Sequence, residues 1–552
     1  MIRRLLSNFS LPVLVVILSL PVILPYFHKG YFPTHDGEWA VVRLSDMFRQ
    51  LRDFQIPPRY SGNLNFGYGY PLFNFTYPFP YFLGVLLHVL HLNFITGIKF
   101  LFAISVPLSG VFMYFASKNL WKNSLAGFVS ALLYVYLPYR MVDLYARGSI
   151  GESLSFIFFP LLFYMCLKVL QNPRKKPFVV IAALSFAALI LTHNIMATLF
   201  TPLLLIFITL LCFGKNKNTY YPFNIILMAG LGLSTFFWLP AILEKHNILL
   251  SVVPIADRNL YFVKPLQIIA PAWGYGVPDK AGGFSYQLGF PQLLVLVLTF
   301  CLVIYNYWFA KAKEKVREHF RFAAVFSIAV LVMIFMLFSP SAMLWKLPLL
   351  SEINYPWTLL APLGFLASLL AGYVVLQSRI LSYISLVLAI GAIIVFLPYA
   401  KPQYYTYHDD SYYATNDATT TSSSELMPLW VKQKPLQRPV EKVEVVKGQA
   451  DVSNLVYNSK KAIFMVSAKT NSVVRLNTIY YPGWNATLDS QSVSTRHDNP
   501  RGVMDISVPS GTHVVNFSFT ETPLRLIADI ISIITLLGLL VYWKFYNPSG
   551  RS

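Results

Sequence analysis

Residues 35–38 read His-Asp-Gly-Glu, which places His35, Asp36 and Glu38 within four positions, directly after the first long apolar run. Charge at the edge of a hydrocarbon layer is costly unless it faces water or a ligand. A carboxylate at such a partly dry surface suits a general base acting on a hydroxyl. It equally suits a helix cap. Residues 37–54 put Val41, Leu44, Phe48 and Leu51 on one stripe, Asp36 stands where an N-cap belongs, and Glu38 in the first turn complements the helix dipole. Capping does not account for His35, nor for the aromatic, glycine-rich stretch NFGYGYPLFNFTYPFP (65–80) downstream.

A second group lies further on. Arg140 and Arg147 flank Asp143, and Arg147-Gly148 stands just before a helix start at Glu152. Arginine forks and free backbone N–H groups suit a phosphate; an Arg–Asp pair or a headgroup anchor would use the same residues. His193-Asn194 sits in a tight turn between two apolar runs, where it either meets a ligand or simply breaks the helix. Asp36, Glu38, Asp143 and Glu152 together offer oxygen ligands for a divalent cation such as Mg or Mn.

The elements that must position these residues are membrane spans. The 552-residue chain is 56% hydrophobic and 12% charged, about half the charge of a soluble domain. Many apolar runs reach the roughly 18–20 residues that cross a bilayer. The net charge of +20 sits in short clusters between those runs: Arg3-Arg4, Lys118 with Lys122, Arg174-Lys175-Lys176, Lys215 with Lys217, and Lys311 to Arg321. That is the positive-inside pattern rather than a nucleic-acid footprint. Cys166, Cys212 and Cys301 all lie in apolar runs, so no disulfide framework is implied.

With the basic clusters cytoplasmic, the spans are 8–27, 94–117, 124–139, 152–170, 178–192, 195–213, 221–241, 288–308, 322–338, 356–376, 380–398 and 523–544, about twelve with both termini inside. Residues 77–91 are apolar, yet counting them as a span would turn later basic clusters outward, so they belong at the outer interface. The outer face then carries residues 28–93, 140–151, 192–194, 242–287 and 339–355. Residues 400–522 differ in kind. They begin as polar loop, and VMDISV (503–508) and VVNFSF (514–519) alternate with the strand period around a PSG turn. The expected fold class is mainly α and polytopic, in three parts: a transmembrane module 1–399, an extracytoplasmic β-rich domain 400–522, and a final helix with a short cytoplasmic tail, 523–552. Ionisable groups such as Lys99, Glu152, Lys168, Arg525 and Asp529 lie toward span ends. Ion-coupled transporters and voltage sensors place charge at mid-depth, so this pattern argues against them.

The first span, the large loop with acids on a juxtamembrane helix, and the Pro-containing YPFPYFLG (77–84) resemble the GT-C superfamily of membrane glycosyltransferases. Within it, HDGEWAVVRLSDMFRQLRDFQIPPRY (35–60), FGYGYPLFNFTYPFPYFLG (66–84), YRMVDLYARGSIGE (139–152), LTHNIMA (191–197), NYPWT (354–358) and YYPGWNATLD (480–489) look like YfhO-like and 6-pyruvoyl-tetrahydropterin-synthase-related membrane proteins. The resemblance implies an inverting glycosyltransferase at the outer face of the plasma membrane. A sugar would move from a polyprenyl-phosphate donor to a hydroxyl of an envelope polymer, glycolipid or protein. Asp36 would match the catalytic acid. Arg140, Arg147, His193 and Asn194 would bind donor, and Glu38, Asp143 and Glu152 would be supporting acids or metal ligands. His35, Tyr68, Tyr70, Trp273, Tyr286 and Trp357 would contact acceptor or sugar. The other classes are a non-catalytic lipid-glycan-binding envelope protein and, disfavoured by the uncharged spans, a transporter or flippase.

Overall fold

A computed structural model describes residues 2–172, 175–277, 282–309 and 314–545; Arg174, the Lys311 end of the last basic cluster and the tail after residue 545 lie outside the described residues. Among the described residues, nine helices are long and apolar enough to cross a membrane: Ser10–Phe27, Phe94–Trp121, Ile150–Gln171, Asn194–Cys212, Phe290–Phe309, Glu318–Leu337, Pro356–Val375, Arg379–Tyr399 and Pro523–Phe545. Two further expected spans are broken. Ser124–Val135 and Pro138–Arg147 meet at 42°, and Lys217–Leu233 and Thr235–Leu243 at 64°, which makes nine to eleven crossings and leaves twelve unconfirmed. The first break falls at Pro138, which has no N–H to donate and forces Leu137 out of the helical region. At the second, Ser234 and Thr235 bond back to the carbonyls of Gly230 (2.8 Å) and Leu231 (2.9 Å), a contact that bends helices. Lys176–Thr192, also expected to cross, is a helix of 17 residues, just under the length of about 20 that a bilayer core asks for. Phe79–Val89 has 11 residues, about 16 Å of helix against a hydrocarbon core of about 30 Å. That length agrees with leaving 77–91 out of the spans.

The loops divide between two sides. One side gathers the long first loop, the turn at 143–148, the loop after residue 243 and the segment around Trp357: His35 reaches Tyr275, and Arg147 lies over Trp357. The opposite side holds Lys122, Lys175, Lys215 and Lys217, where Trp121 meets His319 and Arg321 covers Phe213. The charge rule predicts that the basic side faces the cytoplasm. Single cysteines replacing Arg52 and Ser423, both exposed on the first side, are therefore expected to react with an impermeant maleimide in intact cells, and one replacing Asn216 is not. Labelling at Asn216 alone would reverse the orientation.

The amphipathic helix expected after Asp36 spans Gly37–Arg52 and buries Val41 and Leu44, with Phe48 and Leu51 partly covered. Helix Phe79–Val89 crosses it at Gly84, where a Cβ would stand 2.7 Å from the Leu44 side chain. Eight antiparallel strands form the C-terminal domain: β1 (Val443–Lys447), β2 (Ala450–Tyr457), β3 (Lys461–Ala468), β4 (Ser472–Ile479), β5 (Trp484–Leu488), β6 (Gln491–Val493), β7 (Val503–Val508) and β8 (Gly511–Phe519). They make a three-stranded sheet, β1-β4-β7, and a five-stranded one, β2-β3-β8-β5-β6. The two strands expected from VMDISV and VVNFSF exist, but the turn between them passes from one sheet to the other. β7 pairs with β4, and β8 with β3 and β5.

Residues 400–433 are a strap laid along the helix Gly37–Arg52; its stretch 404–424, expected as loop, includes the short helix Asp410–Ala414. Thr406 exchanges backbone bonds with Tyr31 (2.8 and 2.6 Å), Asp410 accepts from the N–H groups of Phe94 (2.5 Å) and Ile95 (3.1 Å), and Arg43 holds Thr420. The β domain is seated by Arg59, which pairs with Glu521 (3.3 Å) and Asp529 (2.9 Å) and donates to Phe236 O (2.6 Å). It is also seated by Arg525, whose guanidinium forks onto one oxygen of the buried Glu244 at 3.0 and 2.9 Å.

Candidate active site

Asp36 is placed by backbone bonds. His35 N–H donates to Ala146 O (3.1 Å) and Asp36 N–H to Arg147 O (2.8 Å), pinning the start of the juxtamembrane helix to the turn that ends at Arg147. The close approach needs glycine. Gly148 has φ +64°, and a Cβ on it would lie 2.0 Å from Thr34 Oγ1 and 2.8 Å from Gly37 N. The turn is of the wide, π type: Gly148 N–H reaches back five residues to Asp143 O (2.9 Å).

Asp36 takes the N-cap position, its backbone C=O accepting from Ala40 N–H (3.1 Å), but its side chain caps nothing. Gly37 N–H donates to Thr34 Oγ1 at 2.9 Å, so Thr34 satisfies the helix end, and Asp36 makes no side-chain cap bond. Among the described residues no hydrogen bond or ion pair reaches the half-exposed Asp36 carboxylate. Burial, with the Asp36 charge as a lesser cause, holds the phenols of Tyr77, Tyr81 and Tyr355 above their usual range, so three neutral O–H groups stand within electrostatic reach of that carboxylate. Glu38, by contrast, accepts from Tyr413 of the strap (3.3 Å).

Arg147 is tied from beneath. Its Nη1 alone donates to Tyr139 Oη (3.1 Å), to Asp143 Oδ1 (2.5 Å) and to Glu152 Oε2, and Tyr139 Oη donates to the other oxygen of Glu152 (2.5 Å). Asp143 and Glu152 are fully buried. The guanidinium lies over the Trp357 ring at 4.5 Å, and its Nε and Nη2 have no protein partner among the described residues. Trp357 is ringed by Tyr139, Phe284, Tyr286 and Tyr355 at 5.3–6.1 Å between centroids.

The other expected residues divide. His35 Nε2 bonds Tyr275 O (2.8 Å) on the rim of this site. Trp273 is stacked on Tyr399 (4.6 Å, 15°) beside it. His193 is buried, sits 5.1 Å from Tyr77, and accepts from Met196 N–H (3.2 Å) at the start of the next helix. Burial lowers its imidazole to about 4, so it stays neutral at physiological pH. Asn194 is exposed on that turn, outside the cluster. Arg140 is buried within the bundle, bonded to Ser105 Oγ (3.2 Å) and covering Phe156 at 4.6 Å; it makes no hydrogen bond to Asp143 but lies within electrostatic reach of it. Tyr68 and Tyr70 are not free to meet a substrate. Tyr70 Oη bonds Thr420 of the strap (2.8 Å), and Tyr68 accepts from Arg501 (3.0 Å) within a small core with Met427, Ile479 and Val503. Both rings seat the β domain and its strap.

The four-acid metal set does not form. Among the described residues no group of three or more His, Cys, Asp or Glu converges as metal ligands. The Arg147 guanidinium stands between Asp143 and Glu152, where a cation would sit. These residues do not fit a metal.

Sequence reading missed Tyr77, Tyr81 and Tyr355 as site residues, although the first two lie inside the YPFPY stretch singled out for its prolines. It also missed Arg43. That residue lies about two helical turns along the same face from Asp36, acts on Tyr77 and Tyr81, and bonds the neutral Thr420 with no acid paired to it among the described residues.

The chain is similar to an uncharacterised protein of Lactococcus lactis subsp. cremoris (strain MG1363), 23% identical over 341 residues, which are 60% of this chain and 53% of the relative. It thus spans about half the length of that relative. Among solved structures it is similar to the Archaeoglobus fulgidus oligosaccharyltransferase in its apo form (TM-score 0.43, 13% identity, 74% of this chain and 56% of that one). It is also similar to the arabinofuranosyltransferase AftD from Mycobacteria (TM-score 0.45, 12% identity, 71% of this chain and 27% of that one). The model of the 6-pyruvoyl-tetrahydropterin synthase related domain, a membrane-protein family, matches residues 73–397, more than half of the chain and inclusive of Arg147, Glu152 and Trp357. The chain belongs to that family.

Proposed function

We propose that this protein is an inverting glycosyltransferase working at the extracytoplasmic face, with a polyprenyl-phosphate sugar as donor and a hydroxyl as acceptor. The observation that carries the reading is Asp36: a carboxylate with no side-chain partner among the described residues, the helix end served by Thr34, held by backbone bonds beside Arg147. A group held without a structural partner is available to a substrate. The acceptor hydroxyl attacks the anomeric carbon and its proton passes to Asp36. The bond from that carbon to the phosphate oxygen breaks, and polyprenyl phosphate leaves with both electrons. The unused edge of Arg147 faces the leaving oxygens, and charge building there is stabilised by donors already in place. Arg43 adds positive charge that no acid pairs among the described residues, whereas Asp143 and Glu152 offset that of Arg147. Neutral Tyr77 and Tyr81 can donate to sugar oxygens. Arg140 is assigned to the bundle interior and not to the donor.

The test is direct. Purified protein given a polyprenyl-monophosphate sugar and an envelope extract should release polyprenyl phosphate and form a glycoside of opposite anomeric configuration; retention of configuration would reject the mechanism. Arg147 carries a second expectation. Arg147→Lys keeps charge but loses the fork, so donor affinity should fall about tenfold, the equivalent of about 1.4 kcal/mol. Arg147→Gln should lower it further. Unchanged affinity in both variants would return Arg147 to a purely structural role.

A further inference from the structure

The β domain carries a cleft remote in sequence from the residues around Asp36. Trp430, Lys432, Thr495, Arg496, His497 and Asp498 line about 460 Å³, within the range of about 300–1,000 Å³ usual for ligand sites. A separate hollow of about 200 Å³ lies on the other side of Arg496, lined by Ser494, Ser507 and Asp505, and both Asp505 oxygens are taken up by Arg475 at 2.7 and 2.8 Å. The cleft is built, not incidental. Lys432 and Gln433 N–H groups both donate to Pro500 O (2.9 and 2.8 Å), clamping the end of the strap to the loop before β7. Gly502, at φ +65°, lets Trp430 close over it, since a Cβ there would lie 2.8 Å from the indole. Trp430 Nε1 donates to Tyr480 O (3.0 Å), fixing the plane of the ring. His497 is stacked on Tyr480 (4.1 Å, 14°) and stands 5.5 Å from Trp430, edge to face.

The chemistry of the walls points to one ligand class. A fixed indole and an imidazole stacked on a phenol offer flat apolar faces of the kind that pack against the C–H face of a sugar ring. Among the described residues His497 Nδ1 has no hydrogen-bond partner although it is closed off from solvent, and the rim adds the exposed side chains of Lys432, Arg496 and Asp498. Two cations against one anion favour a negatively charged ligand. We propose that this cleft binds an anionic glycan strand, a sugar chain bearing carboxylates or phosphates, through Trp430 and His497 below and Lys432 and Arg496 at the rim. The inference stands whether or not sugar is transferred at Asp36, because binding alone is claimed.

The experiment uses the full chain in nanodiscs and calorimetric titration with tetragalacturonate, with maltotetraose as the neutral counterpart. Saturable binding of the acidic oligomer is expected, tighter than that of the neutral one. The Lys432→Glu/Arg496→Glu double variant should weaken the acidic oligomer by about tenfold, about 1.4 kcal/mol, with little change for the neutral one. His497→Ala should weaken both, and Asp36→Asn should change neither. Thermal melting of each variant separates loss of binding from loss of fold, and the charge reversals sit on exposed side chains. No saturable binding by the wild-type protein, equal affinity for the two oligomers, variants that bind as wild type, or loss of binding in Asp36→Asn would each overturn the proposal.

Discussion

Asp36→Asn is expected to leave expression, thermal stability and donor binding at wild-type levels and to lower sugar transfer by about 100- to 10,000-fold, the usual loss when a general base is removed. Stability should not change, because the helix end is held by Thr34 rather than by Asp36, and Asn keeps the shape of the side chain. The contrast with Thr34 sharpens the test. Thr34→Ala removes the oxygen that accepts from Gly37, so it should cost about 1 kcal/mol of stability and little in the chemical step. Glu38→Gln keeps an acceptor for the Tyr413 hydroxyl and should be mild in both respects. The measurement is a transfer assay at saturating donor, alongside melting curves in the same detergent. A variant Asp36→Asn that transfers at near wild-type rate would remove the base from the account.

The second large effect is on stability. Arg525→Ala should destabilise the protein by about 3–5 kcal/mol, because it leaves the Glu244 carboxylate buried and without its cation. Glu244 would keep only Asn74 (2.8 Å), Thr522 (3.2 Å) and Tyr481 (3.4 Å) as neutral donors. Removing both charges is a different matter, since a buried pair replaced by neutral groups of similar size is often tolerated. The double variant Arg525→Met/Glu244→Gln is therefore expected to recover most of what the single variant loses. Denaturation followed by Trp fluorescence in detergent compares the two. A single variant that melts with the wild type would mean that this pair does not seat the final helix and the β domain.

What could be read from the sequence was what repeats locally or concentrates by composition. The spans, the amphipathic helix after Asp36 with its Val41–Leu44 stripe, the short helix within 77–91 and the strands at 503–508 and 514–519 all announce themselves within a few residues, although the second strand begins earlier, at Gly511. Asp36 was legible for the same reason, as charge next to an apolar run. The rest depends on partners far along the chain. Glu244 and Arg525 are 281 positions apart, Tyr70 and Thr420 are 350 apart, and neither pairing leaves a trace in periodicity. Tyr68 and Tyr70 looked like substrate contacts because aromatic, glycine-rich loops often are; only the seated β domain shows that both hydroxyls are occupied. Asp36 stands at the N-cap position, but its side chain caps nothing, for a local reason. Thr34, two positions earlier, is also a good capping type, and its hydroxyl reaches the Gly37 N–H first. The four acids could not be sorted by spacing, because Arg147 between Asp143 and Glu152 turns a possible metal pair into an ion-pair cluster.

The measurement that tests the central claim most directly is mass spectrometry of lipid-linked sugars and envelope glycans in three strains: one lacking the gene, and that strain carrying either the wild-type protein or Asp36→Asn. The account predicts that one polyprenyl-phosphate sugar builds up, and one glycan decoration disappears, both in the deletion strain and with Asp36→Asn, and that the wild-type protein restores both. Unchanged lipid-linked sugars in the deletion strain, or full restoration by Asp36→Asn, would contradict it.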